Sequence, residues 1–202
     1  MQTKLIFISL ILFAFAPSQS TRGQAKFKID LLGGPNYNWV RNEVLQGERP
    51  AFGWCFGGGA TITPHRWKRF SIGINTLIFQ KGYEQTLGQE YAIDFYYKSI
   101  QVITNYSFHP SVSATVGVDF SSLTDATVEE GLSTYNHFDF GLISGINFFI
   151  DKPLGINVRL IYGLTPMLDY YKIDALGNFN GMIKDLKNTC LTVELKYRLA
   201  QW

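Results

Sequence analysis

Apolar and small polar residues alternate along most of this chain with a period of two. That period belongs to β-strands with two chemically different faces. From Val112 to Ser121 the sorting is clean: Val112, Ala114, Val116, Val118 and Phe120 fall on one face, and Ser113, Thr115, Gly117, Asp119 and Ser121 on the other. Leu154, Ile156, Val158, Leu160 and Tyr162 oppose Gly155, Asn157, Arg159, Ile161 and Gly163, while Leu191, Val193, Leu195, Tyr197 and Leu199 oppose Thr192, Glu194, Lys196 and Arg198. Phe52 to Thr63 sorts Phe52, Trp54, Phe56, Gly58, Ala60 and Ile62 from Gly53, Cys55, Gly57, Gly59, Thr61 and Thr63. Four further segments are less tidy: Phe27, Ile29 and Leu31 against Lys26, Lys28 and Asp30; Phe70 to Ile78; Ile100 to Phe108; and Phe138 to Phe148. In the second of these, Leu77 and Phe79 break the polar face. Pro35 suggests that the first strand ends there, since proline cannot donate to a ladder.

The connections alternate too. Three are short (64–69, 109–111 and 150–153), and four are longer (40–51, 83–95, 122–137 and 165–188). Short turns at one end and long loops at the other form the pattern of a membrane-spanning barrel, with turns in the periplasm and both termini beside them. No second apolar run reaches the roughly 20 residues a spanning helix needs, so any crossing must be made by strands, which only a closed barrel permits. The expectation is an all-β, closed, eight-stranded antiparallel up-and-down transmembrane barrel of the small OmpA/OmpX type.

A soluble carrier barrel also alternates, with its apolar rows inside. Three features favour the opposite arrangement. The polar face is dominated by Gly, Ser, Thr and Asn, which suit a cramped lumen better than a water-facing surface. Aromatic residues gather near strand ends, where membrane barrels carry interfacial girdles: Trp39, Phe52, Trp54, Tyr96, Phe138 and Tyr162 toward the loops, and Trp67, Phe70, Tyr106, Phe108, Phe148 and Tyr197 toward the turns. Trp202 closes the chain just after a strand and resembles the assembly signal of outer-membrane barrels.

The chain opens with Lys4 and an apolar run from Leu5 to Ala16, followed by small residues, which reads as a secretory signal peptide. Cleavage fits after Ser20 or after Gly23; the second gives a signal over 1–23 and a barrel domain over 24–202. A retained signal anchor is the alternative. Residues 24–202 carry equal numbers of acidic and basic residues, and no clustered basic excess points to nucleic acid.

Several pieces, in order, resemble the PorT-like outer-membrane β-barrel proteins of Bacteroidetes: Gly33-Gly34-Pro35-Asn36, Gln80-Lys81-Gly82-Tyr83, Phe138-Asp139-Phe140-Gly141, Val158 through Thr165, and Tyr197-Arg198-Leu199. Gln101 departs from the pattern, in which many relatives carry proline in the fourth strand. The resemblance covers nearly all of the chain after residue 23. It implies location in the cell envelope and fold, and for some members a part in protein secretion.

The inward parity collects Lys28, Asp30, Asp119, Asp139, Arg159, Glu194, Lys196 and Arg198. Eight strands leave room for side chains and little else, so these charges are expected to pair and plug the barrel rather than line a selective pore. Lys28 and Asp30 are expected to meet Glu194, Lys196 or Arg198 where the first and last strands join. Cys55 and Cys190 share the inward parity, but a strand between them sets them about 9–10 Å apart. Two buried thiols are expected, unless a bent rim brings them within disulfide reach. His65 and His109 fall in turns. His137 lies near the rim, after Glu129, Glu130 and Ser133, where a Ser/His pair would be needed for a lipid-modifying enzyme; solvated loop residues are expected instead. No catalytic set, metal site or cofactor is expected. The loop end carries acids (Glu84, Glu90, Asp94, Asp125) that read as solvated or as contacts to lipopolysaccharide through divalent metal, and one turn carries Arg66, Lys68 and Arg69. The expected role is structural or interactive, with membrane lipid, lipopolysaccharide and envelope proteins as partners.

Overall fold

The alternation closes on itself. In the computed structural model, which describes residues 25–41, 48–86, 90–127, 135–173 and 179–202, every strand is antiparallel to its sequence neighbours. The strands are β1 (Lys26–Arg41), β2 (Glu48–Thr63), β3 (Phe70–Thr86), β4 (Glu90–His109), β5 (Val112–Ala126), β6 (Phe138–Phe148), β7 (Leu154–Ile173) and β8 (Phe179–Gln201). β1 pairs with β8, so the sheet is a closed eight-stranded barrel in up-and-down order. The signal segment, its cleavage points, Glu129, Glu130 and Ser133 lie outside the described residues.

Closure removes both sheet edges. Its last rung is a reciprocal pair of backbone bonds between Phe27 and Trp202, each 3.0 Å, with the two rings 5.5 Å apart. The outward rows are apolar along every strand, with Phe56, Ile74, Ile100, Val116, Leu142 and Leu195 all exposed. A sheet with this exterior is stable only where hydrocarbon replaces water.

Two expectations from the sequence are corrected. β1 does not end at Pro35 but runs to Arg41. Pro35 faces outward and pairs with Trp54 of β2. On its other side the ladder to β8 lapses at Gly34 and Pro35 and resumes at Asn36, so the missing N–H is not called on. A Cβ on Gly34 would sit 2.0 Å from the Val193 carbonyl oxygen, which shows how closely β8 approaches there.

The second correction concerns the long loops. β3 and β4 pair up to Thr86 and Glu90, and β7 and β8 up to Ile173 and Phe179, so most of 83–95 and 165–188 is strand. Antiparallel hairpins lengthen by adding rungs to an existing ladder, without the ordering cost of a separate element. Between β3 and β4 the alternation fades because the inner face is itself apolar: Leu77, Phe79, Tyr83, Phe95 and Tyr97 all point inward and are buried.

Candidate functional site: the barrel interior

Inward side chains fill the lumen in layers, because each strand contributes one residue in two and the strands are staggered. At its centre sits Lys81, on the odd, inward parity of β3 and 1% exposed. Its Nζ lies 3.1 Å from Asp139 Oδ2 and 3.5 Å from Asp119 Oδ2. The ring of Tyr97 stands 4.9 Å from the same nitrogen, a second attraction for a desolvated cation. Hydroxyl groups complete the carboxylates: Ser99 and Ser121 donate to Asp119, and the Asn188 amide donates to Asp139 at 3.1 Å. Buried charges persist only when paired and hydrogen-bonded, and this cluster joins β3, β4, β5, β6 and β8.

A second layer lies toward the turns. Arg159 of β7 reaches Glu194 of β8 at 3.2 Å and donates to the side-chain Oε1 of Gln101 at 3.1 Å. Asn157 and Thr192 donate to the two oxygens of Glu194. Gln101 also accepts from Asn75 at 3.3 Å, so this one side chain is a buried bridge between β3 and β7. Beyond it, the Asn147 amide faces Asn105, Ser113 and Thr115 within 3.0 Å.

Around Lys81 and on toward the loops, the lumen is largely apolar. Phe79, Tyr83, Phe95 and Tyr97 pack with Leu123, Met167 and Leu186, and the edge of Tyr135 meets Phe95 at 5.0 Å. Asn36 and Asn38 reach from β1 across β2 to the Gln80 carbonyl, at 3.1 and 3.4 Å. The ladder between β2 and β3 is irregular from Pro50 to Cys55, and the asparagines satisfy a carbonyl it leaves.

The sequence-derived inward charges thus fall into separate groups. Asp119 and Asp139 share Lys81, and Arg159 pairs with Glu194. At the turn end Asp30 meets Arg198 at 3.8 Å, while Lys28 donates to the Ile150 carbonyl at 3.5 Å and Lys196 lies nearby. Lys81 is not among the inward charges expected from the sequence, although the parity of Ile72, Ile74 and Ile78 places it inside. Gln101, Asn147 and Asn157 carried no signal beyond parity.

Cys55 and Cys190 are free and buried, with β1 between their strands. Of the strand-end aromatics, Trp54, Trp67, Phe70, Tyr106, Phe108, Phe138, Phe148, Tyr162, Tyr197 and Trp202 are exposed on the outer surface and Trp39 is half-buried. Arg41 lies over the Tyr162 ring at 3.6 Å and bonds Gly163 and Thr189, tying β1 to β7 and β8 at the loop end. His65, His109 and His137 are exposed. In the turn before β7, a hydrogen bond from Ser111 holds the Asp151 carboxyl below its ordinary pKa.

The sequence matches the family described as "Outer membrane protein beta-barrel domain" over residues 17–169. No curated protein matches it. Among solved structures it is similar to Neisserial surface protein A, with 11% identity and a TM-score of 0.52, covering 84% of this chain and 96% of that one. It also matches the outer membrane protein OprG from Pseudomonas aeruginosa, with 12% identity and a TM-score of 0.48, covering 88% and 97%. At these identities the likeness concerns the fold.

Proposed function

We propose that this chain, which belongs to the outer membrane protein beta-barrel domain family, acts as a plugged barrel whose rims, not a through-pore, meet its partners. Membership places it among bacterial outer-membrane barrels. The observation that carries the reading is the filled mid-section. Phe79, Phe95, Tyr97, Lys81, Gln101 and Glu194 are each no more than 1% exposed, and together they occupy the cross-section where a pore would run. Such a barrel has no aqueous path for selectivity to act on. Purified protein in a planar bilayer is expected to give no conductance steps above background. Regular unitary steps would reject the proposal.

The role is structural or interactive, and no catalytic activity is part of it. Residues 1–23 serve as the export signal. The turns and both termini face the periplasm, and the loop end, with Glu84, Asp94 and Asp125, faces outward toward lipopolysaccharide. The exposed aromatics at the strand ends form the two interfacial girdles.

Within the family, the ordered pieces from Gly33-Gly34-Pro35-Asn36 to Tyr197-Arg198-Leu199 support a place among the PorT-like barrels of Bacteroidetes. On that second reading the exposed basic turn at Arg66, Lys68 and Arg69 docks an envelope protein of a secretion apparatus. Affinity purification from native membranes is expected to bring down secretion proteins with the wild type and markedly less with all three cations changed to glutamine. Equal recovery from both would remove this reading.

A further inference from the structure

Below the Arg159–Glu194 layer the lumen is not filled. A cavity of about 290 Å³ lies between that layer and the turns, at the small end of ligand-pocket size. Lys28, Lys196 and Arg159 line its interior, with Lys26, Lys68 and Arg69 at the mouth. Among the described lining residues two carboxylates face them, Asp30 and Asp151. Asp30 already meets Arg198, and Asp151 stands exposed at the rim.

The imbalance is local. Lys81 has two carboxylates and Arg159 has one. Lys196, by contrast, is 9% exposed and has no carboxylate of its own in contact; it shares the charge of Asp30 with Arg198 and Lys28. Lys28 reaches only a carbonyl, at 3.5 Å. The Arg159 Nε behind them is buried and has no acceptor. A desolvated ammonium without an anion is costly, and low-dielectric walls strengthen the field of several cations gathered in one cleft.

We propose that this vestibule binds a phosphate-type oxyanion, a small multiply charged group held chiefly by Lys28 and Lys196. Lysines act as mobile point charges toward phosphate, and two of them on adjacent strands, β1 and β8, can close on one group. The mouth opens at the turn end, so the group can come from a free phosphorylated solute or from an anionic lipid headgroup at the same interface.

The test is calorimetric titration of sodium pyrophosphate into the barrel refolded in phosphatidylcholine nanodiscs at low salt. Saturable binding at one site is expected, weakened about tenfold by Lys28→Met or by Lys196→Met. Arg66→Met, outside the cavity lining, is expected to leave it unchanged. Repeating the titration in nanodiscs with phosphatidylglycerol separates the sources: unchanged affinity supports a free solute, and competition supports the lipid headgroup. A readout that needs no variant is protection of Lys196 from acetylation by pyrophosphate, read by mass spectrometry on the wild type. No saturable heat with no protection, or binding that survives loss of both lysines, would overturn the proposal.

Discussion

Replacing Lys81 with methionine is expected to lower the unfolding free energy of the refolded barrel by about 3–5 kcal/mol, the usual cost of stranding a buried charge. The change keeps most of the side-chain volume and leaves Asp119 and Asp139 facing each other with no cation. Both are 5% exposed or less. Neither can recover its hydration without opening the lumen, and only hydroxyl and amide donors remain to them. The change would be read from the urea midpoint of the heat-modifiable band on a gel. Adding Asp119→Asn and Asp139→Asn to the same chain is expected to restore most of the loss, because a neutral set strands no charge. A cost below about 1 kcal/mol, the range of exposed ion pairs, would mean that water reaches Lys81 and that the mid-barrel plug is open.

Gly57→Ala is expected to cost about 3 kcal/mol, the upper part of the overpacking range, whereas Gly58→Ala should stay within about 0.5 kcal/mol. The two residues are neighbours on β2 and share a local sequence, so intrinsic strand propensity cannot separate them. Space can. A Cβ at Gly57 would lie 2.0 Å from the Thr76 carbonyl oxygen and 2.8 Å from Leu77 Cα, both backbone atoms of β3 that cannot rotate away. At Gly58 the nearest atom is 3.4 Å away, an ordinary contact. Gly57 faces the crowded lumen side and Gly58 the outside. Equal effects in parallel urea titrations would show that the barrel wall at β2 and β3 yields as a unit.

How far the sequence can be read varies with the kind of question. Strand number, the hairpin order and the inward parity of Asp119, Arg159 and Glu194 follow from alternation alone. Where alternation failed, the reading failed with it. Leu77 and Phe79 look like defects of a polar face, yet they belong to an apolar mid-barrel belt shared with Phe95 and Tyr97. The same apolar inner face continues to Tyr83 and Ile93, which disguises the upper ends of β3 and β4 as loop. Pro35 looked like a strand end because proline's missing donor is a local property, while the lapse in the β8 ladder that tolerates it lies more than 150 residues further along the chain.

The candidate site divides in the same way. Sequence placed Lys28, Asp30, Lys196 and Arg198 near one another through the expected meeting of the first and last strands. It offered no means of seeing that Lys28, Lys196 and Arg198 would share the single carboxylate of Asp30, or that Glu194 would turn to Arg159 instead.

The sequence by itself determined which residues face inward and which face outward, because a strand turns successive side chains to opposite sides whatever surrounds it. Only the tertiary structure decided the depth at which each inward residue stands, and hence which ones meet. Depth accumulates through every ladder around the ring, including its irregularities between Ile29 and Asp30 and between Pro50 and Cys55. That stagger brings Lys81 level with Asp119 and Asp139, and it leaves the turn end of the lumen lined by cations around an open cavity.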